Sequence, residues 1–170
     1  MKEGLQNPEG LAQKKLGAQV SATLCYDHLV GETGAIYHDM SVALGISDSV
    51  SMILYTLCCE NERLSLQAMC RQMGMSKQTL NSSLRHLEQE GLVQLEALNG
   101  KSKCAVLTQK GERYAVQTAM KIVQAEQNVL ENWPERDVKQ FIQLTERFRD
   151  DLAREAQKLE ERIPERGMAE

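Results

Sequence analysis

Aromatic residues are scarce. The chain has one Trp, four Tyr and two Phe in 170 residues, while Leu is plentiful and there are eight Met, a balance that favours packed helices. No run approaches the roughly 18 apolar residues that a membrane span needs. The opening MKEGLQNPEG lacks the apolar core of a secretory signal. A cytoplasmic protein with no membrane partner is expected. The five cysteines (Cys25, Cys58, Cys59, Cys70, Cys104) form neither a CxxC pair nor a Cys/His metal spacing. Their odd number, without a signal, implies reduced thiols and not a disulfide framework. No metal and no cofactor are expected. G-x-S-x-G, P-loop, G-x-G-x-x-G and HExxH motifs are all missing, so no enzyme is expected. There is no internal repeat and no low-complexity tract.

What is present is an uneven charge. The chain carries a formal −4. Residues 1–62 hold three Lys against eight acids, a net of −5. Residues 114–170 hold nine bases against twelve acids, a net of −3. Residues 63–113 alone are basic, with eight Lys and Arg against four acids, a net of +4. Affinity for phosphate depends on the charge of the contacting face, so overall acidity does not veto a nucleic-acid partner. The acids of the last segment alternate with bases (Glu146, Arg147, Arg149, Asp150, Asp151, Arg154, Glu155) and read as a solvated, ion-paired helix face.

Six helices and one hairpin are predicted. Leu11–Leu44 reads as helical, with Leu16, Val20 and Leu24 in one stripe. Gly31 and Gly34 should kink or divide it, and Gly45 should stop it. Ser47 caps a second helix whose core face is Val50, Ile53, Leu54 and Leu57. Asn61 and Glu62 make a polar connection. Ser65 caps a short helix with Leu66, Met69, Cys70 and Met73 inward; Gly74 permits a tight turn. Ser76 caps the next helix, which turns Leu80, Leu84 and Leu87 inward and stops at Gly91. A strand begins at Leu92–Leu95, Asn99-Gly100 marks a hairpin turn, and Lys103–Leu107 returns. Thr108 caps one long helix reaching Val129–Leu130, which Asn132-Trp133-Pro134 breaks. Phe141, Leu144, Phe148 and Leu152 stripe a last helix that ends before Pro164. The outer helices have no second layer to cover their stripes, and a twofold partner is the simplest cover.

The inward leucines fix what the Ser76–Gly91 helix turns outward: Lys77, Gln78, Thr79, Asn81, Ser82, Arg85 and His86. Gln and Asn suit adenine edges and Arg and Lys suit guanine, while Ser76 and the helix N-terminus suit a phosphate. The alternative is an ordinary solvated helix face. A capped helix, a glycine turn and a basic hairpin surround this face and favour duplex DNA. On the hairpin, Asn99, Lys101 and Lys103 are the candidate contacts, to phosphate or a minor groove.

From about Gly45 to Gly111 the chain resembles the MarR family of winged helix-turn-helix regulators. The matching stretches are GISDSVSMILYTL, LSLQAMCRQMGMSKQTLNSSLRHLEQEGLV and KSKCAVLTQKG, the last containing the LTxxG run Leu107–Gly111. The resemblance implies a mostly α fold with a small β-hairpin wing and a dimerisation layer of N- and C-terminal helices. Residues 1–44 and 112–170 would supply that layer, and residues 45–111 the DNA-binding lobe. It also implies a homodimer on a pseudo-palindromic operator in double-stranded DNA, and a repressor responsive to a small amphipathic or aromatic effector. The family's wing commonly carries Asp-x-Arg where this chain has Asn99 and Lys101. Lys lacks the planar fork of Arg, so phosphate contact by Lys101 and Lys103 is expected in place of minor-groove insertion. Some family members sense oxidants through a cysteine in the first helix, which makes Cys25 the redox candidate. A winged-helix protein-interaction module without specific DNA binding is the rival reading.

Three further groups are expected to be structural. Cys58, Cys59 and Cys70 read as buried packing residues, with Cys104 exposed on the wing. His38-Asp39 reads as a solvated pair, because two ligands are not a metal site. Met52, Met69, Met73, Met75 and Met120 read as core filling.

Overall fold

The computed structural model describes residues 8–60, 63–100 and 102–162, with side chains from Val20 onward. These residues form seven helices and one two-stranded antiparallel sheet. They fall into two compact units, Met1–Val123 and Gln124–Glu170. Asn61, Glu62 and Lys101 lie outside the described residues.

The first unit begins with α1 (Pro8–Ala43), which is unbroken over 36 residues, about 54 Å at roughly 1.5 Å per residue. The division expected at Gly31 and Gly34 is absent. A lone helical glycine costs about 1 kcal/mol relative to alanine, which weakens a helix this long without dividing it. Val20, Leu24, Leu29 and Ile36 stand exposed along it. The helix ends where the Ile46 N–H reaches the Ser41 carbonyl at 3.0 Å and the Gly45 N–H reaches Val42 at 3.0 Å. Beyond it, α2 (Asp48–Cys59) leaves at 88°.

The helix-turn-helix is α3 (Leu66–Gln72) and α4 (Lys77–Gln89). Between them Gly74 sits at φ +59, a region closed to most side chains, and the Met75 N–H closes on the Cys70 carbonyl at 3.0 Å. Strands β1 (Val93–Asn99) and β2 (Ser102–Leu107) pair with Val93 opposite Leu107 and Glu96 opposite Cys104; a bulge lies between Ala97 and Asn99. Cys104 also bridges to Ser65, so β2 has a neighbour on both sides. Ile53, Leu54, Met69, Leu80, Leu84 and Leu87 are the large, fully buried side chains of the core. Each stabilises the fold by about 1.5–3 kcal/mol through burial.

After the hairpin, two helices replace the single one predicted: α5 (Gln109–Gln117) and α6 (Ala119–Glu131). The break is at Thr118, where φ is −125° and ψ −96°. Its hydroxyl donates to the Tyr114 carbonyl at 2.7 Å, a local bond by which threonine competes with the helix ladder. Ala115, Ala119 and Ile122 are buried on either side of it.

In the second unit Pro134 opens α7 (Glu135–Arg162), its carbonyl accepting from the Asp137 N–H at 2.8 Å. Trp133 packs edge-on to Phe141, with ring centroids 5.6 Å apart. Phe141, Leu144, Phe148 and Leu152 form an exposed stripe. Lys139–Glu135 (2.5 Å), Arg147–Asp151 (3.6 Å) and Lys158–Glu155 (2.6 Å) pair along the same helix, as the charge pattern predicts. Among the described residues no single helix is long and apolar enough to cross a membrane.

Candidate nucleic-acid interface

α4 is oriented by its leucines. Leu80, Leu84 and Leu87 are buried, and so is Ser83, whose hydroxyl donates to Ser49 Oγ at 2.9 Å and ties α4 to the start of α2. With that face fixed, Ser76, Lys77, Gln78, Thr79, Asn81, Ser82, Arg85 and His86 are all exposed. The sequence-predicted residues therefore share one solvent face of one helix. Ser76 Oγ accepts the Thr79 N–H at 3.0 Å and lies 2.7 Å from Thr79 Oγ1, and Ser82 Oγ donates to the Thr79 carbonyl at 2.9 Å. These hydroxyls are held in place before any ligand arrives.

On the wing, Asn99 and Lys103 are exposed at the end of the hairpin; Gly100 turns it with φ +51. The candidate Lys101 lies outside the described residues. Two of the bases counted in the positive segment are already committed. Lys110 Nζ donates to the Glu90 carbonyl at 2.5 Å, at the C-terminal end of α4 where a cation is favoured. Arg63 pairs with Glu96 in β1 at 2.6 Å. Sequence reasoning missed that pair, because nothing local links two residues so far apart in the chain.

The wing returns to the body at Leu107–Gly111. Thr108 Oγ1 donates to the Gly91 carbonyl at 2.7 Å and accepts the Gly111 N–H at 3.0 Å. The Thr108 N–H donates to the Leu92 carbonyl at 3.0 Å. One threonine thus joins the end of α4, the start of β1 and the first turn of α5. A Cβ at Gly111 would lie 1.9 Å from the Leu92 oxygen. The glycine of the LTxxG run is there because backbone passes where a side chain would stand.

A short helix, a glycine turn, a capped helix with a polar outer face and a hairpin returning through this junction make a winged helix. Residues 44–101 match the sequence profile of the MarR family. That stretch is similar to the MarR-family winged helix. Among curated proteins no sequence matches. Solved MarR-family structures share the fold at low identity. A MarR-family transcriptional regulator from Silicibacter pomeroyi is 18% identical, with a TM-score of 0.65 over 79% of this chain and 92% of that one. MepR of S. aureus, solved in complex with DNA, is 15% identical, with a TM-score of 0.61 over 76% and 96%. PcaV of Streptomyces coelicolor, solved with its natural ligand, is 18% identical, with a TM-score of 0.57 over 73% and 91%.

Several side chains around the winged helix depart from expectation. Cys58 and Cys59 are exposed at the end of α2, where packing was expected, and Cys70 is half-buried. Cys104 is fully buried, where exposure was expected, and its backbone bridges to Ser65 at the second edge of β2. Partial burial, then the neighbouring Cys59 thiol and Glu112, raise the Cys58 thiol above its ordinary range. Cys25 is exposed on α1. His38 pairs with Asp48 at 2.9 Å and not with its neighbour Asp39, linking α1 to the first turn of α2. The hydrogen bond to Asp48, with that carboxylate's charge, raises the His38 imidazole above its ordinary range. Met69 is buried and Met73, Met75 and Met120 half-buried, as core filling requires, while Met52 is exposed.

Proposed function

We propose that this chain is a sequence-specific, DNA-binding transcriptional regulator. The observation that carries the reading is the outer face of α4. Its eight exposed polar residues stand on a helix fixed from behind by three buried leucines and the Ser83–Ser49 bond. Inserted in a major groove, Gln78, Asn81 and Arg85 would read base edges. Ser76 and the first turn of α4 would hold a phosphate, with Lys103 and Lys101 on the flanking backbone.

We further infer a homodimer acting as a repressor. The exposed apolar stripe of α1, and separately that of α7, support a second copy as their cover. Two α4 helices would then meet half-sites about one DNA turn, roughly 34 Å, apart. An effector would act by favouring a spacing that does not fit DNA; the ligand-bound PcaV structure supports looking for one.

The test is selection of duplexes from fragments of the source genome, followed by affinity at two salt concentrations. A pseudo-palindromic sequence should be enriched, and its affinity should fall steeply with salt. A protein-interaction module would enrich no sequence. Unchanged affinity when Arg85, Lys101 and Lys103 are all replaced by Ala would also reject the reading.

A further inference from the structure

Arg63 lies in the link between α2 and α3, and its Nη1 meets Glu96 Oε2 at 2.6 Å. Glu96 stands opposite Cys104 in β2, and Cys104 in turn bridges to Ser65, two residues after Arg63. The ion pair therefore joins the two segments that flank β2. The other carboxylate oxygen is also engaged, accepting from Gln94 Nε2 at 2.9 Å. Cys104, between the two flanks in register, is fully buried, with its thiol 3.8 Å from the Glu96 carbonyl. Glu96 is also the one acid between Leu92 and Leu107. An unmasked carboxylate on a wing would repel the phosphates that Lys103 is placed to attract.

We propose, resting on the DNA-binding reading, that Arg63 is the positioning residue of the wing. It straps the hairpin to the helix-turn-helix across β2, and it masks the hairpin's carboxylate. It acts through Glu96 and does not itself touch DNA. The planar guanidinium suits this role, since it can hold a carboxylate oxygen with fixed geometry where a lysine would swivel.

The test uses the full chain as wild type, Arg63→Ala, Glu96→Gln and the double variant, all checked for folding by circular dichroism. The probe is a labelled pool of random-sequence duplexes of about 30 base pairs, three turns at about 10 per turn. Arg63→Ala should weaken binding by up to about fivefold per lobe, the upper range for one exposed pair. In the Glu96→Gln background the same change should do nothing. An equal loss in both backgrounds would mean that Arg63 contacts DNA itself, and would overturn the proposal. A second readout needs no DNA: the rate at which iodoacetamide alkylates Cys104, followed by peptide mass. Loss of the strap should raise that rate in Arg63→Ala. An unchanged rate overturns the strap. If wild type binds no duplex at all, the regulator reading fails, and Cys104 alkylation still decides whether Arg63 holds the wing.

Discussion

The Leu92 carbonyl oxygen occupies the place where a Gly111 side chain would begin, 1.9 Å from the ideal Cβ position. That oxygen also accepts the Thr108 N–H at 3.0 Å, so neither partner can retreat without breaking the junction between wing and body. Gly111→Ala should therefore cost at least the upper part of the usual overpacking range, about 3 kcal/mol. Urea denaturation of the full chain measures it, and a cost under about 1 kcal/mol would show that the junction yields.

The outer face of α4 predicts how affinity responds to charge. Arg85→Ala on a selected operator should cost about 1–3 kcal/mol and relax preference at one base position, if Arg85 reads a base edge. Lys103→Ala should weaken all sequences alike and reduce the salt slope by about 0.9 for each phosphate it ceases to neutralise. Fluorescence anisotropy at several salt concentrations separates the two. Identical behaviour of the two variants would contradict the division of labour between helix and wing.

The exposed stripe of α7 predicts a change of mass. Phe148 is 45% and Leu152 56% exposed in the single chain. Replacing both by Asp should shift sedimentation from dimer to monomer, with helical content retained by circular dichroism. If wild type already sediments as a monomer, the homodimer is excluded.

His38 gives a pH signature. Its imidazole is raised by Asp48, so the pairing stabilises the fold fully below the unfolded value of about 6.5. That contribution is lost as pH rises through the higher folded value. Histidine ring signals followed by NMR should show the His38 midpoint fall in Asp48→Asn. No movement would mean that the 2.9 Å pairing is not kept in solution.

The regular elements were legible because their signals are local. Ser47, Ser65, Ser76 and Thr108 each read as a cap, and each accepts an N–H from three residues ahead. The recognition face was legible too, since three leucines at helical spacing decide what points outward. Thr118 was not. It is neither Gly nor Pro, and its hydroxyl bond back to the Tyr114 carbonyl is one that Thr33 makes inside the unbroken α1, so the residue type carries no stop signal. Cys58, Cys59 and Cys104 failed for a related reason. A thiol suits a core or a surface equally well, and the Ser65 segment that bridges to Cys104 comes from almost forty residues earlier in the chain. The Arg63–Glu96 pair is likewise a product of sheet order, invisible until the strands are assembled.

That sheet order has one more effect. β2 is bridged on both sides, which leaves β1 as the open edge of the sheet among the described residues. Natural edges resist pairing with a stray strand by a charge and an irregularity. β1 has both, in Glu96 and in the bulge between Ala97 and Asn99. The carboxylate that is a liability beside phosphate thus serves as a gatekeeper against edge-to-edge aggregation, and a wing rid of it would attract DNA and its own neighbours alike.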